Sequence, residues 1–248
     1  MMTWTFPTSS SEVLTAELGA GTWAAFTTRA GGVSEGEHAS LNLGAGVGDA
    51  PEAVARNRGI LARTADAPVA FVRQVHGVDV FRWDAQAVPA LGEEPVADIV
   101  LTTAAGAAVA VLVADCVPVL LAGPGGVAAV HAGRKGVLAG AVPTAVAALA
   151  EEGVTVTHAA IGPSICGRCY EVPRALRTEA SAQLAELHAT TSWGTPALDL
   201  PAGVHAQLHA AGITRVDHQA ICTLEDERFF SYRRSGVCGR FAGVVRLD

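Results

Sequence analysis

Residues 114–133 read Ala114-Asp115-Cys116-Val117-Pro118-Val119-Leu120-Leu121-Ala122-Gly123-Pro124-Gly125-Gly126-Val127-Ala128-Ala129-Val130-His131-Ala132-Gly133. Two short apolar runs flank a Gly-Pro-Gly-Gly turn signal, which predicts a hairpin of buried strands, Val117 to Ala122 and Val127 to His131. With the turn centred on Pro124-Gly125, His131 lies opposite Pro118. Cys116 is then two residues along on the same face, because side chains alternate with period 2. Diagonal neighbours of this kind stand ~7–8 Å apart between backbones, so a thiolate and an imidazole can converge. A register slip of one residue would put them on opposite faces. The stretch from Ala104 to Ala122 is apolar enough to suggest a membrane span. Asp115 near its middle, Pro118 and the glycine-rich turn favour buried strands instead.

Outward from the hairpin, strands and helices alternate. Trp23 to Thr28, Val69 to Gln74, Val78 to Trp83, Asp98 to Thr103, Ala107 to Ala114, Val154 to Gly162, Arg215 to Cys222 and Gly243 to Leu247 read as strands. A helix is expected to about Ala65, with Asp49 as N-cap, Pro51 in the first turn and Glu52 at N3. Gly136 to Glu152 is helical, with Pro143 as a break or kink. Pro173 to Leu187 and Leu200 to Ala211 are helical as well. The pattern predicts one α/β (α+β) domain over residues 1–248, with mixed β-sheets flanked by helices.

Composition narrows the function classes. Half of the 248 residues are hydrophobic and 17% are charged, as in an ordinary globular chain. The formal net charge of −7 argues against a general nucleic-acid binder. The N-terminus has no positive region and no apolar segment, so a cytoplasmic protein without a signal peptide is expected. Five cysteines suggest thiols for metal or nucleophilic work rather than a disulfide framework. Of the 17 cations, 16 are arginine, and the one lysine is Lys135.

A Cys and a His on one hairpin support a catalytic dyad, two ligands of a zinc site, or a cysteine beside a core histidine. His76, between two apolar segments, is a candidate third ligand. Three protein ligands leave one tetrahedral position open, the pattern of a catalytic zinc. Cys166-Gly167-Arg168-Cys169 is a C-x-x-C without a second such pair, and it reads as a strand-to-helix turn with incidental thiols. Arg233, Arg234 and Arg240 read as surface or carboxylate partners.

Several segments occur together in one order. They are Thr27-Thr28-Arg29-Ala30-Gly31-Gly32-Val33-Ser34, Ser40-Leu41-Asn42-Leu43-Gly44, Gln74-Val75-His76-Gly77, Ala114-Asp115-Cys116-Val117-Pro118 and His131-Ala132-Gly133. Ile161-Gly162-Pro163-Ser164-Ile165, Cys169-Tyr170-Glu171-Val172 and Phe229-Phe230-Ser231-Tyr232-Arg233-Arg234 complete the set. Over roughly residues 20 to 247 the chain resembles the YfiH family, also called the laccase-domain or multicopper polyphenol oxidase-like family. The resemblance implies the fold grouped with the cytotoxic necrotizing factor catalytic domain. It implies zinc held by His76, Cys116 and His131. It further implies a purine nucleoside phosphorylase acting with phosphate on adenosine, inosine and methylthioadenosine, and deaminating adenosine. Copper is the family's other named metal. The sequence has no His-x-His pattern for it, which favours zinc.

One motif departs from the family, which reads His-Ala-Gly-Trp-Arg-Gly where this chain has His131-Ala132-Gly133-Arg134-Lys135-Gly136. Lys135 keeps a charge at the family's arginine but loses the planar fork. Phosphate is expected to meet Arg134 and Lys135 ahead of a helix near Gly136, or Arg29 with Gly31 and Gly32. Ser40 and Asn42 are candidates for the ribose. Asp115 is the candidate proton carrier beside Cys116 and His131, although on a regular strand it would face away from Cys116. The expected partners are a purine nucleoside and phosphate, with no nucleic acid and no membrane. Nothing in the sequence sets an oligomeric state. The rival readings are a metal-free cysteine hydrolase using Cys116 and His131, a zinc-stabilised binding module, and a phenol-oxidising copper enzyme.

Overall fold

Val117–Gly123 and Gly126–Ala132 pair antiparallel about the two-residue turn Pro124–Gly125, and His131 stands opposite Pro118. The register is the one expected from the turn signal. The computed structural model describes residues 13–248. The N-terminal segment read for a signal peptide, Met1 to Pro7, lies outside them. Among the described residues no helix is long and apolar enough to cross a membrane.

In chain order the strands begin with β1 (Val13–Thr15), β2 (Thr22–Thr27), β3 (Val69–Ala70) and β4 (Val80–Arg82). The central ones are β5 (Ile99–Thr102), β6 (Ala107–Val113), β7 (Val117–Gly123), β8 (Gly126–Ala132) and β9 (His158–Ile161). They end with β10 (His188–Thr190), β11 (Pro196–Leu198), β12 (Arg215–His218) and β13 (Phe241–Leu247). The helices are α1 (Pro51–Ala65), α2 (Arg134–Ala139), α3 (Ala141–Glu151), α4 (Arg174–Gln183), α5 (Leu200–Ala210) and α6 (Tyr232–Ser235).

Two mixed sheets stack face to face. One has the order β1-β2-β13-β6-β3, the other β12-β9-β7-β8-β5-β4, and β10-β11 is a separate hairpin. Phe26, Val109, Val111 and Val245 of the first sheet meet Val100, Leu120, Val127 and Ala129 of the second. The alternate residues Val119, Leu121, Ala128 and Val130 face outward and pack under α2, α3 and α5 through Val137, Ala145, Leu149 and Val204. On the far side, Ala25, Ala108, Ala110 and Val244 pack under α1 through Ile60 and Leu61. The molecule is therefore a helix–sheet–sheet–helix stack. Strands covered on both faces carry no polar alternation, which is why β6, β7 and β8 read as continuous apolar runs. Just after β9, a Cβ at Gly162 would overlap the Phe26 ring and lie 2.7 Å from Pro118 Cγ.

Four local expectations are corrected. Asp49 is not the N-cap of α1. Ala50 holds that place, and the Asp49 carboxylate accepts from Ser34 Oγ, Asn42 Nδ2 and the Ala50 amide. The helical stretch after His131 breaks at Gly140, whose φ is +82°, rather than at Pro143. Pro143 sits in the first turn of α3, where a missing N–H costs no hydrogen bond. The strand expected over Val69 to Gln74 is broken into a short pairing at Val69–Ala70 and a single parallel bridge of Arg73 with Val96. Gln74 takes over the ladder with its side chain, Nε2 donating to Leu112 O and Oε1 accepting from Leu112 N. The helix from Pro173 stops at Gln183, and one 3-10 turn, Ala185–Leu187, follows.

Candidate active site and metal centre

Three antiparallel strands bring the chemistry to one sheet end. Asp98 immediately precedes β5, Cys116 immediately precedes β7, and His131 is the second-last residue of β8. The pairings Ile99↔Val130 and Val117↔Ala132 align these positions. His76 enters from the link between β3 and β4. Its Nε2 lies 3.8 Å from Cys116 Sγ, and the His76 and His131 ring centroids are 4.7 Å apart at 74°. One ligand atom from each of His76, Cys116 and His131 falls within 4.8 Å of the others, a set able to hold a metal ion. His76 is exposed, Cys116 half-buried and His131 buried.

Asp98 holds this set together, and sequence reading missed it. Its Oδ1 lies 2.7 Å from His131 Nδ1. Its carboxylate also accepts from the amides of Val75, His76 and Gly77 at 3.1, 2.9 and 2.7 Å. With Nδ1 directed at Asp98, His131 turns Nε2 toward Cys116, the arrangement that outer carboxylates impose on metal-ligating histidines. Burial pushes the Asp98 carboxyl up, but the His131 and backbone hydrogen bonds outweigh it and hold it below the usual range. The available signal was a carboxylate at the head of a buried apolar strand.

The electrostatics favour a charged pair. Burial raises the Cys116 thiol, but His131 and then His76 overcome it and bring it down to about 6. Burial lowers the His131 imidazole, but Cys116 and Asp98 overcome that and raise it to about 9. At neutral pH the two therefore stand as thiolate and imidazolium when no metal is bound.

Backbone strain concentrates at this place. His76 has φ +64° and Asp115 φ +99°, both in the left-handed half that side chains disfavour. β7 starts only at Val117, so Asp115 lies in a bend and lines the same cleft as Cys116. Its Oδ1 accepts from Thr223 Oγ1 at 2.6 Å and its Oδ2 from the Arg233 amide at 2.7 Å. Gly133 leaves the room the donors need. A Cβ there would stand 2.7 Å from His76 Cδ2 and 3.1 Å from Cys116 Sγ.

The donors open onto a cleft of about 750 Å³ lined also by Gln74, Tyr170, Tyr232 and Arg233. A smaller hollow of about 310 Å³ joins His76 and Cys116 to Arg134, Lys135 and Tyr170. The Arg233 guanidinium stacks 5.1 Å from the Tyr170 ring centre, and its Nη1 donates to Glu171 O. Burial pushes the Tyr170 phenol up.

Of the expected substrate-binding residues, Arg134 and Lys135 stand beside the donors. Arg134 opens α2 and is half-buried, and Lys135 is exposed. Arg29, Ser40 and Asn42 line neither cleft. Arg29 Nε donates to Ala39 O, with its guanidinium over Phe230. Ser40 Oγ donates to Arg29 O. Asn42 is buried, donating to Gly44 O and Asp49 and accepting from the Gly44 and Arg240 amides. Arg234 ties backbone carbonyls of residues 223–229, whereas Arg233 reaches the cleft, a place its sequence context did not suggest. The C-x-x-C pair gains Cys222 and Glu225 as neighbours, one ligand atom from each falling within 4.8 Å.

Comparison with known proteins adds independent findings. The family model for multi-copper polyphenol oxidoreductase laccase matches residues 23–248. A purine nucleoside phosphorylase of Streptomyces coelicolor is 50% identical over 232 residues, covering 90% of this chain and 94% of its own. One of Corynebacterium glutamicum is 45% identical over 234 residues, covering 90% and 93%. Among solved structures, the YfiH protein of Bacillus licheniformis superposes with a TM-score of 0.87 at 28% identity, covering 97% of this chain and 98% of its own. A Neisseria meningitidis protein gives 0.84 at 37% identity, covering 95% and 99%.

Proposed function

The chain belongs to the multi-copper polyphenol oxidoreductase laccase family, and from that premise we propose that it is a purine nucleoside phosphorylase that also deaminates adenosine. Its metal in this reading is zinc, held by His76, Cys116 and His131. The observation that carries the reading is that this donor set stands between two hollows that both bear cations, Arg233 in the larger and Arg134 with Lys135 in the smaller, with His76, Cys116 and Tyr170 shared by both. Two imidazoles and a thiolate suit zinc, and Asp98 and Gly133 give the donors their aim and their room. When bound, zinc supplies Lewis acidity next to the substrate.

The residues then divide the work. Arg134 and Lys135 bind phosphate oxygens. Tyr170 and Arg233 orient the nucleoside, the phenol ring offering a face to the purine. A phosphate oxygen bonds to C1′ while the C1′–N9 bond breaks. The electron pair leaves with the purine, which takes up a proton, giving free base and ribose 1-phosphate. In deamination Asp115 moves a proton from the entering water to the departing amino nitrogen. Arg29, Ser40 and Asn42 act as positioning residues through the loop they brace. We read residues 1–248 as one cytoplasmic domain acting on small molecules, not on nucleic acid or membrane.

Incubation with adenosine, with and without phosphate, tests this by chromatography. Adenine formed only with phosphate is the expected result, with inosine as the deamination product. Adenosine left intact under both conditions sinks the reading. A second reading is favoured by one observation, the Cys116–His131–Asp98 succession, which matches the order of nucleophile, base and orienting carboxylate. It is a metal-free cysteine hydrolase. Full turnover after chelation, lost in Cys116→Ala, would select it. A thiolate with two imidazoles also suits copper, and metal analysis of the purified protein separates the two ions.

A further inference from the structure

Away from the cleft donors, two turns face each other. After β9, Cys166 and Cys169 lie on one turn, closed by the Cys169 and Tyr170 amides donating to Cys166 O. After β12, Cys222 and Glu225 lie on another, closed by the Glu225 and Asp226 amides donating to Cys222 O. The turns are tied by the Ser164–Cys222 bridge, by Thr223 N donating to Ser164 O, and by the Cys166 amide directed at Cys222 Sγ at 3.5 Å. Cys169 Sγ lies 3.4 Å from Glu225 Oε1. The three sulfurs and one carboxylate oxygen all fall within 4.8 Å of one another. All three cysteines are free thiols.

We infer that Cys166, Cys169, Cys222 and Glu225 form a second metal site, a structural one for zinc. A tetrahedral ion about 2.3 Å from each sulfur sets its ligands roughly 3.8 Å apart, so the group needs little movement to close on one. Each turn offers two donors three residues apart, the spacing that structural zinc sites use. Three of the four donors are soft thiolates, which magnesium and calcium disfavour, and the carboxylate is a donor that zinc also accepts. The set supplies all four ligands, so no position stays open for substrate. A single disulfide would use two of the sulfurs and leave the third and Glu225 without a role.

The position gives the ion a structural task. The first turn leads into Tyr170, which lines the cleft, and the second into Thr223, which donates to Asp115. Closing the four ligands on one ion fixes both segments to each other. This site stands whether or not the cleft is a phosphorylase.

Zinc content of the full chain tests it. Two ions per chain are expected, falling to one in Cys222→Ser and to one in His76→Ala. Unchanged content in a folded Cys222→Ser overturns the site. A measurement that leaves the cluster intact guards against misfolding. The Cys116→Ser chain, stripped and titrated with cobalt(II), retains intense thiolate-to-cobalt charge transfer in the near ultraviolet. Absence of that band, or a mass spectrum of unreduced protein showing two of the three cysteines disulfide-linked, also overturns it.

Discussion

Asp98 Oδ1 lies 2.7 Å from His131 Nδ1, and the same carboxylate takes the amide of His76 at 2.9 Å. One buried side chain thus orients both histidines of the donor set. Asp98→Asn keeps the size but loses the anion and one acceptor. Zinc affinity at the cleft should fall about 10–100-fold, the usual effect of losing an outer partner of a ligating histidine. Competition with a chromogenic chelator measures it, and unchanged affinity would remove Asp98 from this role.

The metal-free protein should show an unusual thiol. Cys116 is brought down from 9.0 to about 6, so its thiolate persists as pH falls until that point. Alkylation by iodoacetamide, followed by peptide mass spectrometry, should be half-maximal near pH 6 and blocked by zinc. His131→Ala removes the largest charge that lowers this thiol, and the midpoint should rise toward that of an ordinary cysteine. Cys169, Cys222 and Cys238 are pushed up by burial and should react slowly at the same pH.

Gly133 is a test of room rather than of chemistry. The Cβ of Gly133→Ala would meet His76 Cδ2 and Cys116 Sγ, so the donors must part. Loss of cleft zinc and of turnover is expected while the thermal midpoint of the metal-free protein stays within a few degrees. A fully loaded, fully active Gly133→Ala would show that the donor geometry is not tight.

The cations beside the donors predict a split in kinetics. Lys135→Ala and Arg134→Ala should raise the KM for phosphate, on the order of tenfold for a charge-assisted contact, with zinc content unchanged. Lys135→Arg should restore it, because the fork suits phosphate oxygens. If phosphate dependence is the same in all four proteins, the anion binds elsewhere.

Most of the fold was legible because strands covered on both faces write themselves as apolar runs, and because Pro124-Gly125 fixes a register. The hairpin, α1 and β13 follow directly. What was not legible lay in side-chain substitutes for backbone. Gln74 completes a ladder with its amide, and Gly140, not Pro143, breaks the helix, since proline in a first turn offends nothing. The approach of Cys116 to His131 was legible from register, whereas His76 as their companion was only a candidate that the family resemblance brought into the set. Asp98 was not legible, because nothing in a lone carboxylate before Ile-Val-Leu tells that three amides from residues 75–77 will close on it. Arg29, Ser40 and Asn42 carried motif weight because the loop needs them, and their polar atoms are spent on it. Cys222 joins the C-x-x-C only through the parallel pairing of β9 with β12, a long-range contact that spacing does not encode.

Two of the non-glycine residues with positive φ are a donor, His76, and the neighbour of a donor, Asp115. Each such conformation costs about 1–3 kcal/mol, and glycine would adopt it freely. Selection for a hardier fold and selection for turnover therefore pull against each other at residues 76 and 115. A screen scored on heat resistance alone should drift to glycine there and lose the site, whereas one scored on turnover should hold the strained residues and gather its stability elsewhere.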